Sequence, residues 1–310
     1  MPTPEQRSAP PTANSLRMIT VEILRAWPLP QPDTSGDKND RGSVLVIGGS
    51  VEVPGALILA GMAALRAGAG RLRLATNRSV APLVAIAMLE ARVIGVPDSA
   101  AGGIAAEAAD QLAERANQVR ATLIGPGMVD QEAVQHLMQR LIPQIEQPML
   151  VLDAAAMECV SAALDALRAR NGQVILTPNA GEMATLLEVK KQEVEQNART
   201  LAQQAATHFN AVVAMKGAET YIADPAGTIY CYKGGTIGLG TSGSGDILSG
   251  VIVGLAARGA SPTQAAAWGA FLHGTAGERL SKRIGKVGFL ARECLPEIPL
   301  IMAQFDGIEK

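Results

Sequence analysis

A glycine-rich stretch that ends in one carboxylate is the segment of this chain best suited to chemistry. Six glycines lie between Gly234 and Gly245, and Asp246 then opens an apolar segment. A helix that begins near Ser244 would direct unpaired N–H groups and the positive end of its dipole at this loop, which favours a bound phosphate. A carboxylate in such an anion site is expected to act as a general base beside a phosphoryl acceptor. The alternative is a capping aspartate on an ordinary glycine turn.

Strands and helices alternate along most of the chain. Short apolar runs such as Ser43–Ile47 predict buried parallel strands, and the segments between them have helical periodicity. We therefore expect a single α/β domain over residues 42–310, with a doubly wound, mostly parallel sheet flanked by helices. Residues 1–41 are predicted to form a tail with one short helix at Ile19–Trp27, and Met1–Leu16 is expected to be disordered.

Some individual elements carry more specific expectations. The runs Thr220–Ala223 and Thr228–Tyr232 flank a turn sequence and predict a β-hairpin. We expect one continuous helix over Met157–Arg168, and Gln264–Leu280 as the helix that closes the fold.

Six of the predicted strands are followed by a glycine-bearing or polar turn. The carboxyl ends of parallel strands share one edge of an open sheet, where ligands bind, so these turns predict an active-site rim. The six turns are Gly48–Ser50, Gly125–Gly127, Asp153, Asn179 with Glu182, Lys216–Gly217 and the Asp246 loop.

Composition excludes several classes of function. The 27 basic and 29 acidic residues leave a net charge of −2, so there is no electrostatic basis for binding nucleic acid or an anionic membrane. No apolar run approaches the length of about 18 residues that a membrane span needs. Cys159, Cys231 and Cys294 are too scattered for a disulfide framework or a metal site. We expect a soluble cytoplasmic protein.

Several rim residues could bind a nucleotide or its metal ion, but each also has a purely structural explanation. A Walker-type phosphate loop is absent, and His273 on an Ala-rich helix is expected to be a packed or surface residue. Glu182 could hold Mg²⁺ through water, although Asn179 and Glu182 also have the spacing of a helix capping box. The segment Lys216–Thr220 could line a nucleotide or could be a plain strand-to-turn junction.

Taken together, these motifs resemble the ribokinase-like superfamily. The resemblance rests on Gly240–Asp246, preceded by Lys216–Thr220 and Asn179–Glu182. Within the superfamily the chain is similar to the ADP-dependent NAD(P)H-hydrate dehydratases over about residues 42–292. The additional matching segments are Val46–Ser50, Gly55–Ala56, Ala64–Gly70, Ile124–Gly127, Val151–Asp153 and Leu176–Pro178.

The resemblance implies a repair reaction in which the S form of NADH or NADPH hydrate is dehydrated while ADP is converted into AMP and phosphate. Asp246 would be the base that activates the substrate hydroxyl, and Glu182 would support Mg²⁺. The N–H groups of Gly243, Ser244 and Gly245 would form the anion hole. The nucleotide-binding residues would be Lys216, Gly217, Ala218, Glu219, Thr220 and Gly245, and the substrate-binding residues Ala56, Gly127, Asn179 and Asp246. The resemblance also implies a homo-oligomer, a tetramer in many relatives.

The chain departs from the family pattern in the loop Gly240–Asp246, which keeps the glycines and the aspartate of the anion site, and at two further motifs. Asn179 stands where the family has histidine, and Ala155 stands where the family has a second aspartate after Asp153. Asn179 restores a pattern of the sugar-kinase relatives, which keeps a small-molecule alcohol kinase as the alternative function. A non-catalytic nucleotide-binding protein is a further alternative, but it would have no use for a base in an anion site.

Overall fold

A ten-stranded sheet forms the centre of the molecule. The structure is a computed structural model that describes residues 16–31 and 41–306. The spatial order of the strands is β1-β10-β9-β8-β7-β6-β5-β2-β3-β4. The strands are β1 (Leu16–Met18), β2 (Ser43–Ile47), β3 (Arg71–Asn77), β4 (Ala91–Val96), β5 (Ala121–Ile124), β6 (Met149–Leu152), β7 (Val174–Leu176), β8 (Val212–Met215), β9 (Thr220–Ala223) and β10 (Ile229–Tyr232).

The sheet is mostly parallel, as the sequence predicts. Every neighbouring pair in the described chain is parallel except those that involve β9, which is antiparallel to β8 and to β10. The pairing of β9 with β10 confirms the predicted hairpin. Because β9 is antiparallel to both β8 and β10, β10 runs in the same direction as β8. It therefore ends at the same edge of the sheet as β2, β5, β6, β7 and β8. All six predicted rim turns therefore share one edge.

Helices cover both faces of the sheet. The α-helices are α1 (Val21–Ala26), α2 (Pro54–Arg66), α3 (Ala81–Ala87), α4 (Ala109–Ala116), α5 (Gln131–Leu141), α6 (Ala155–Glu158), α7 (Leu164–Arg168), α8 (Ala180–Leu187), α9 (Lys191–Phe209), α10 (Ser244–Ala257), α11 (Pro262–Arg283) and α12 (Cys294–Met302). Short 3-10 turns lie at Ala106–Ala108, Ile142–Gln144, Val160–Ala163, Ile237–Leu239 and Ala291–Glu293. None of the described helices is both long and apolar enough to cross a bilayer.

Two hydrophobic cores lie on opposite faces of the sheet. The first joins α2, α10, α11 and α12 to one face, and the second joins α4 to α9 to the other. In the first core α10 packs very closely on α2, because glycines of α10 lie against the backbone of α2. A Cβ atom on Gly254 would lie 2.5 Å from the carbonyl oxygen of Ala64, and one on Gly250 would lie 2.3 Å from that of Ala60.

The N-terminal and C-terminal segments differ from the prediction. Leu16 was expected in a disordered tail, but it begins β1, which pairs with β10; residues 1–15 lie outside the described part of the chain. Leu24 of the predicted first helix is fully buried in the first core, so sheet and core extend ahead of residue 42. The sequence predicts no helix after Leu280, but α12 forms there with Pro299 inside it. Its apolar face packs on the first core, and burial outweighs the lost backbone hydrogen bond.

The predicted helix Met157–Arg168 is also wrong as a continuous element. The structure divides this region into α6, a 3-10 turn at Val160–Ala163, and α7. Met157, Val160 and Ala163 are all buried, at a spacing of three residues. Residues three apart lie on one face of a 3-10 helix, so this conformation buries all three where a regular α-helix would gradually turn them away.

The close contact between α10 and α2 leads to a stability prediction. Gly254→Ala should lower the free energy of unfolding by about 1–3 kcal/mol, because the new methyl group must displace the backbone of α2. Gly55→Ala is the matched control, since a Cβ on Gly55 meets no atom within 4 Å. It should change stability by less than about 0.5 kcal/mol. Denaturant unfolding followed by circular dichroism measures both, and equal stability of the two variants would contradict the close packing.

Candidate active site

Two glycine turns meet where the strand order reverses, which is the usual ligand crevice of a doubly wound sheet. The strands β2 and β5 are neighbours there, and the N–H of Gly49 donates to the carbonyl oxygen of Pro126 at 2.7 Å. Gly127 has a φ of +67°, and a Cβ on it would lie 2.9 Å from the Cβ of Ala56. The structure thus brings together Ala56 and Gly127, which the sequence assigned to substrate binding.

The amino terminus of α10 provides N–H groups for an anion. Gly243 caps the helix with a φ of +87°, a conformation that glycine adopts without strain. The N–H groups of Gly243, Gly245 and Asp246 have no acceptor among the described residues, so all three are available. The N–H of Ser244, which was predicted as a donor, instead donates to the carbonyl oxygen of Thr241 at 3.2 Å. In this conformation the backbone of Ser244 does not contribute a free donor.

Asp246 lies half-buried in the first turn of α10. Burial and the negative charge of Asp153 raise the pKa of Asp246 to about 7, while the Lys216 ammonium opposes the shift. A carboxylate with a pKa near neutral is a far better proton acceptor than an ordinary aspartate, yet a large fraction of it is still ionised at neutral pH. The environment of Asp246 therefore suits a general base.

A buried ion pair lies beside Asp246. Asp153, at the end of β6, is 2% exposed and accepts from the Thr177 hydroxyl at 2.7 Å and from the Lys216 Nζ at 2.8 Å. The Lys216 Nζ also lies 3.7 Å from the Glu182 carboxylate. Burial disfavours the ammonium, but Asp153 and Glu182 outweigh it and raise the pKa of Lys216. Lys216 is therefore held in place as a fixed positive charge.

Asn179 and Glu182 form the capping box that their spacing allows. The Asn179 Oδ1 accepts from the N–H groups of Gly181 and Glu182 at 2.8 and 3.0 Å, and the Glu182 Oε2 accepts from the N–H of Asn179 at 2.7 Å. The structural alternative raised by the sequence is thus realised at the start of α8. The Asn179 side-chain amide nitrogen has no partner in the described chain, and Asn179 lines the adjoining cavity, so a ligand contact is still open to it.

Glu182, at the rim, is the residue predicted to support Mg²⁺. No group of three or more His, Cys, Asp or Glu that could hold a metal ion occurs in the part of the chain that the structure describes. Burial raises the pKa of Glu182 although the nearby Lys216 ammonium lowers it. A raised pKa disfavours the ionised carboxylate that direct coordination of a metal ion needs. Mg²⁺ usually keeps several waters and takes its other ligands from phosphates. Glu182 is compatible with Mg²⁺ in that form.

A cavity of about 780 Å³ opens between the segment 216–220, the glycine-rich loop and α11. Its lining includes five of the six residues predicted to bind the nucleotide: Lys216, Gly217, Ala218, Thr220 and Gly245. Glu219 is the exception, in the bend between β8 and β9. Its carboxylate lies outside this cavity, pairs with the Lys233 Nζ at 2.8 Å and accepts from the Tyr221 hydroxyl.

His273 is a site neighbour that sequence reasoning missed. The sequence predicts a packed or a surface residue, and His273 is indeed buried in α11. It also lines the cavity, which was not predicted. Its Nε2 lies 2.9 Å from the Ser244 Oγ. Twenty-nine residues separate the two side chains along the chain, so no local motif indicates the contact. It forms because α11 packs beside α10.

Ala154 holds a strained conformation directly after Asp153. Its φ of 49° and ψ of −128° lie in a region that glycine adopts but that residues with a Cβ, such as alanine, seldom do. The carbonyl oxygen of Asp153 also lies only 1.8 Å from where a Cβ on Gly125 would be. The backbone around Asp153 is therefore constrained from two sides.

This strain predicts a stabilising substitution. Ala154→Gly should raise the free energy of unfolding by about 1 kcal/mol, since glycine adopts this conformation without the steric cost and loses only part of the gain to chain entropy. Ala162→Gly, in the turn at Val160–Ala163, is the control and should be destabilising. Denaturant unfolding measures both, and a loss of stability in Ala154→Gly would show that the conformation is not strained.

The chain matches proteins of known family over nearly its whole length. The family described as NAD(P)H-hydrate dehydratase (Carb_kinase) matches residues 44–300. An ADP-dependent (S)-NAD(P)H-hydrate dehydratase of Xanthomonas campestris is 48% identical over 292 residues, which are 94% of this chain and 98% of the relative.

Solved structures agree with this match. The ADP/ATP-dependent NAD(P)H-hydrate dehydratase of Bacillus subtilis, co-crystallised with ATP and Mg²⁺, has a TM-score of 0.76 at 29% identity, covering 94% of this chain and 99% of that one. A ribokinase-like superfamily protein of Enterococcus faecalis has a TM-score of 0.80 at 25% identity, covering 94% and 96%. The fold is therefore ribokinase-like, and the chain belongs to the NAD(P)H-hydrate dehydratase family.

Proposed function

We propose that this chain is a lyase that dehydrates the S form of NADH hydrate or NADPH hydrate to NAD(P)H, with conversion of ADP into AMP and phosphate. The observation that carries the proposal is Asp246, with a pKa of about 7, among free N–H groups at the start of α10 and beside a cavity of about 780 Å³. The name of the 48% identical Xanthomonas relative supports the same reaction.

The first step is a phosphoryl transfer to the hydrate. The Asp246 carboxylate accepts the proton of the substrate hydroxyl, and the oxygen attacks the β-phosphorus of ADP, so that AMP leaves. The N–H groups of Gly243, Gly245 and Asp246 hold the oxygens of the transferring group, where negative charge develops. The second step is elimination: the phosphate leaves with its bonding electrons and a proton is lost from the neighbouring carbon, which restores the ring double bond of NAD(P)H.

The remaining site residues divide between the two substrates. Ala56, Gly127 and Asn179 contact the hydrated nicotinamide, and the first two lie against each other at the sheet switch point. Lys216, Gly217, Ala218, Thr220 and Gly245 line the cavity for ADP, and Glu219 lies in the same turn. Mg²⁺ bound to the ADP phosphates would neutralise part of their charge, and Glu182 would hold it through water.

The same proposal includes a cytoplasmic enzyme that assembles as a homo-oligomer, a tetramer. All three cysteines are buried and free, which suits a reducing compartment. Leu83 and Ile86 of α3, with the following Leu89, are largely exposed apolar side chains at the edge of the sheet that ends with β4. An exposed apolar patch of this kind supports a subunit interface.

Purified protein mixed with NADPH hydrate, Mg²⁺ and ADP tests the reaction. We expect the near-ultraviolet absorbance of reduced nicotinamide to rise, and a parallel sample with ATP compares the phosphoryl donors. No rise in either sample, from folded protein that still binds ADP, would contradict the dehydratase. Phosphorylation of small alcohols by that protein would then favour the kinase.

Replacement of the base separates chemistry from binding. Asp246→Asn should lower kcat by about 10²-fold to 10⁴-fold, because the amide cannot accept the hydroxyl proton. ADP binding, measured by titration calorimetry, should be kept or tightened, since a negative charge leaves the anion site. Asp165→Asn changes an exposed carboxylate of α7 in the same way and should leave kcat unchanged. Comparable turnover in Asp246→Asn would remove Asp246 from the mechanism.

The raised pKa of Asp246 predicts the acidic limb of the pH profile. Only the ionised carboxylate acts as a base, so kcat/KM should increase by roughly tenfold per pH unit below pH 7 and level off above it. Asp153→Asn removes a neighbouring negative charge and should move this limb to lower pH, provided that the variant unfolds at the same denaturant concentration as the parent protein. A profile that is flat from about pH 5 to about pH 8 would contradict the assignment.

A further inference from the structure

The contact between His273 and Ser244 lies inside the nucleotide cavity. Both side chains line the cavity, and they are 9% and 5% exposed. The His273 Nε2 lies 2.9 Å from the Ser244 Oγ, which places a ring nitrogen of α11 against the first residue of α10. Ser244 stands between Gly243 and Gly245, whose N–H groups are free for an anion. The pair therefore borders the anion site directly.

Ser244 can contribute to this anion site only through its side chain. Its N–H donates to the carbonyl oxygen of Thr241 at 3.2 Å, while the N–H groups on either side of it are free. A serine hydroxyl has one proton to donate and two lone pairs, and its proton rotates to suit its neighbours. The atom that occupies a lone pair of the hydroxyl therefore decides where its proton can point.

The His273 imidazole is suited to occupy that lone pair. Burial, with a further effect of the Lys216 ammonium, lowers the pKa of His273 to about 4, so the ring is neutral at neutral pH. A neutral imidazole has one N–H and one bare nitrogen. The contacts recorded for the ring go to Ser244: the Nε2 lies against the Oγ, and the ring also has a hydrogen bond with the Ser244 backbone. A buried donor without an acceptor is rarer in proteins than an acceptor with a spare lone pair, which places the ring proton on Nε2.

We propose that His273 is a positioning residue, whose Nε2–H donates to the Ser244 Oγ and thereby directs the Ser244 hydroxyl proton to the terminal phosphate of a bound nucleoside diphosphate. Ser244 thus donates to the anion through its hydroxyl, because its N–H already donates to the carbonyl oxygen of Thr241. The inference rests on the proposed nucleotide site, although it does not depend on the dehydration step.

A comparison of ADP with AMP tests the proposal, because AMP lacks the phosphate that Ser244 contacts. Ser244→Ala removes the donor, and Ser244→Thr keeps a hydroxyl. His273→Gln can place an amide N–H near the position of Nε2, whereas the shorter His273→Asn cannot reach it. His136→Leu is the control, since His136 is an exposed residue of α5. Titration calorimetry gives the two dissociation constants for each variant.

We expect S244A and H273N to weaken ADP by about tenfold and AMP by less than about twofold, because each loses one hydrogen bond to a charged group. S244T, H273Q and H136L should keep the parent ratio of the two affinities. The double variant of S244A with H273N should be no weaker than S244A alone, because both changes remove the same contact. In the dehydration assay, kcat should fall in S244A and H273N and recover in S244T and H273Q.

An unchanged ratio of ADP to AMP affinity in S244A would overturn the role of the hydroxyl. Equal weakening of ADP and AMP in both H273N and H273Q, with a lower unfolding temperature, would make His273 a packing residue and also overturn the proposal. If H273N does not fold, H273Q with a parent ratio and S244A with a reduced one still support it. Parent protein that binds ADP more tightly than AMP but does not restore NADPH would refute the proposed function alone.

Discussion

The ion pair between Asp153 and Lys216 determines much of the geometry around the base. It ties the end of β6 to the end of β8 across the intervening β7, and the Thr177 hydroxyl at the end of β7 donates to the same carboxylate. Three strand ends are thus joined by two hydrogen bonds. Buried ion pairs seldom add stability, because desolvation offsets most of their attraction. Its value is in setting opposite charges at fixed positions beside Asp246.

The electrostatics of the site follow from that arrangement. Burial raises the pKa of Asp246, the charge of Asp153 raises it further, and the Lys216 ammonium lowers it. The outcome is a carboxylate that is basic enough to accept a proton and acidic enough to be partly ionised at neutral pH. Ala154 follows Asp153 directly, and its strained backbone lowers the stability of the fold at the point where the Asp153 carboxylate is positioned.

Close helix packing positions the other half of the site. The glycines of α10 let its backbone approach that of α2, and both helices begin at the rim. The N–H groups of α10 therefore lie on the same side of the sheet as Ala56 of α2. On its other side α10 packs on α11, which brings His273 to Ser244. One helix thus carries the proposed base, the proposed anion donors and the contact to a neutral imidazole.

The sequence by itself determined the alternation of strands and helices, the hairpin of β9 and β10, and the common edge of the six turns. Those features follow from local periodicity and from the geometry of parallel strands, which need no knowledge of packing. The motifs Gly240–Asp246, Lys216–Thr220 and Asn179–Glu182, together with their order along the chain, also indicated the family.

Only the tertiary structure decided the features that depend on distant partners. The edge strand β1 forms because β10 offers an open edge, and α12 forms because its apolar face is buried in spite of Pro299. The ion pair of Glu219 with Lys233 and the contact of His273 with Ser244 both depend on how separate elements pack. The pKa of Asp246 has the same origin, because burial and the charges of Asp153 and Lys216 reach it through space rather than along the chain.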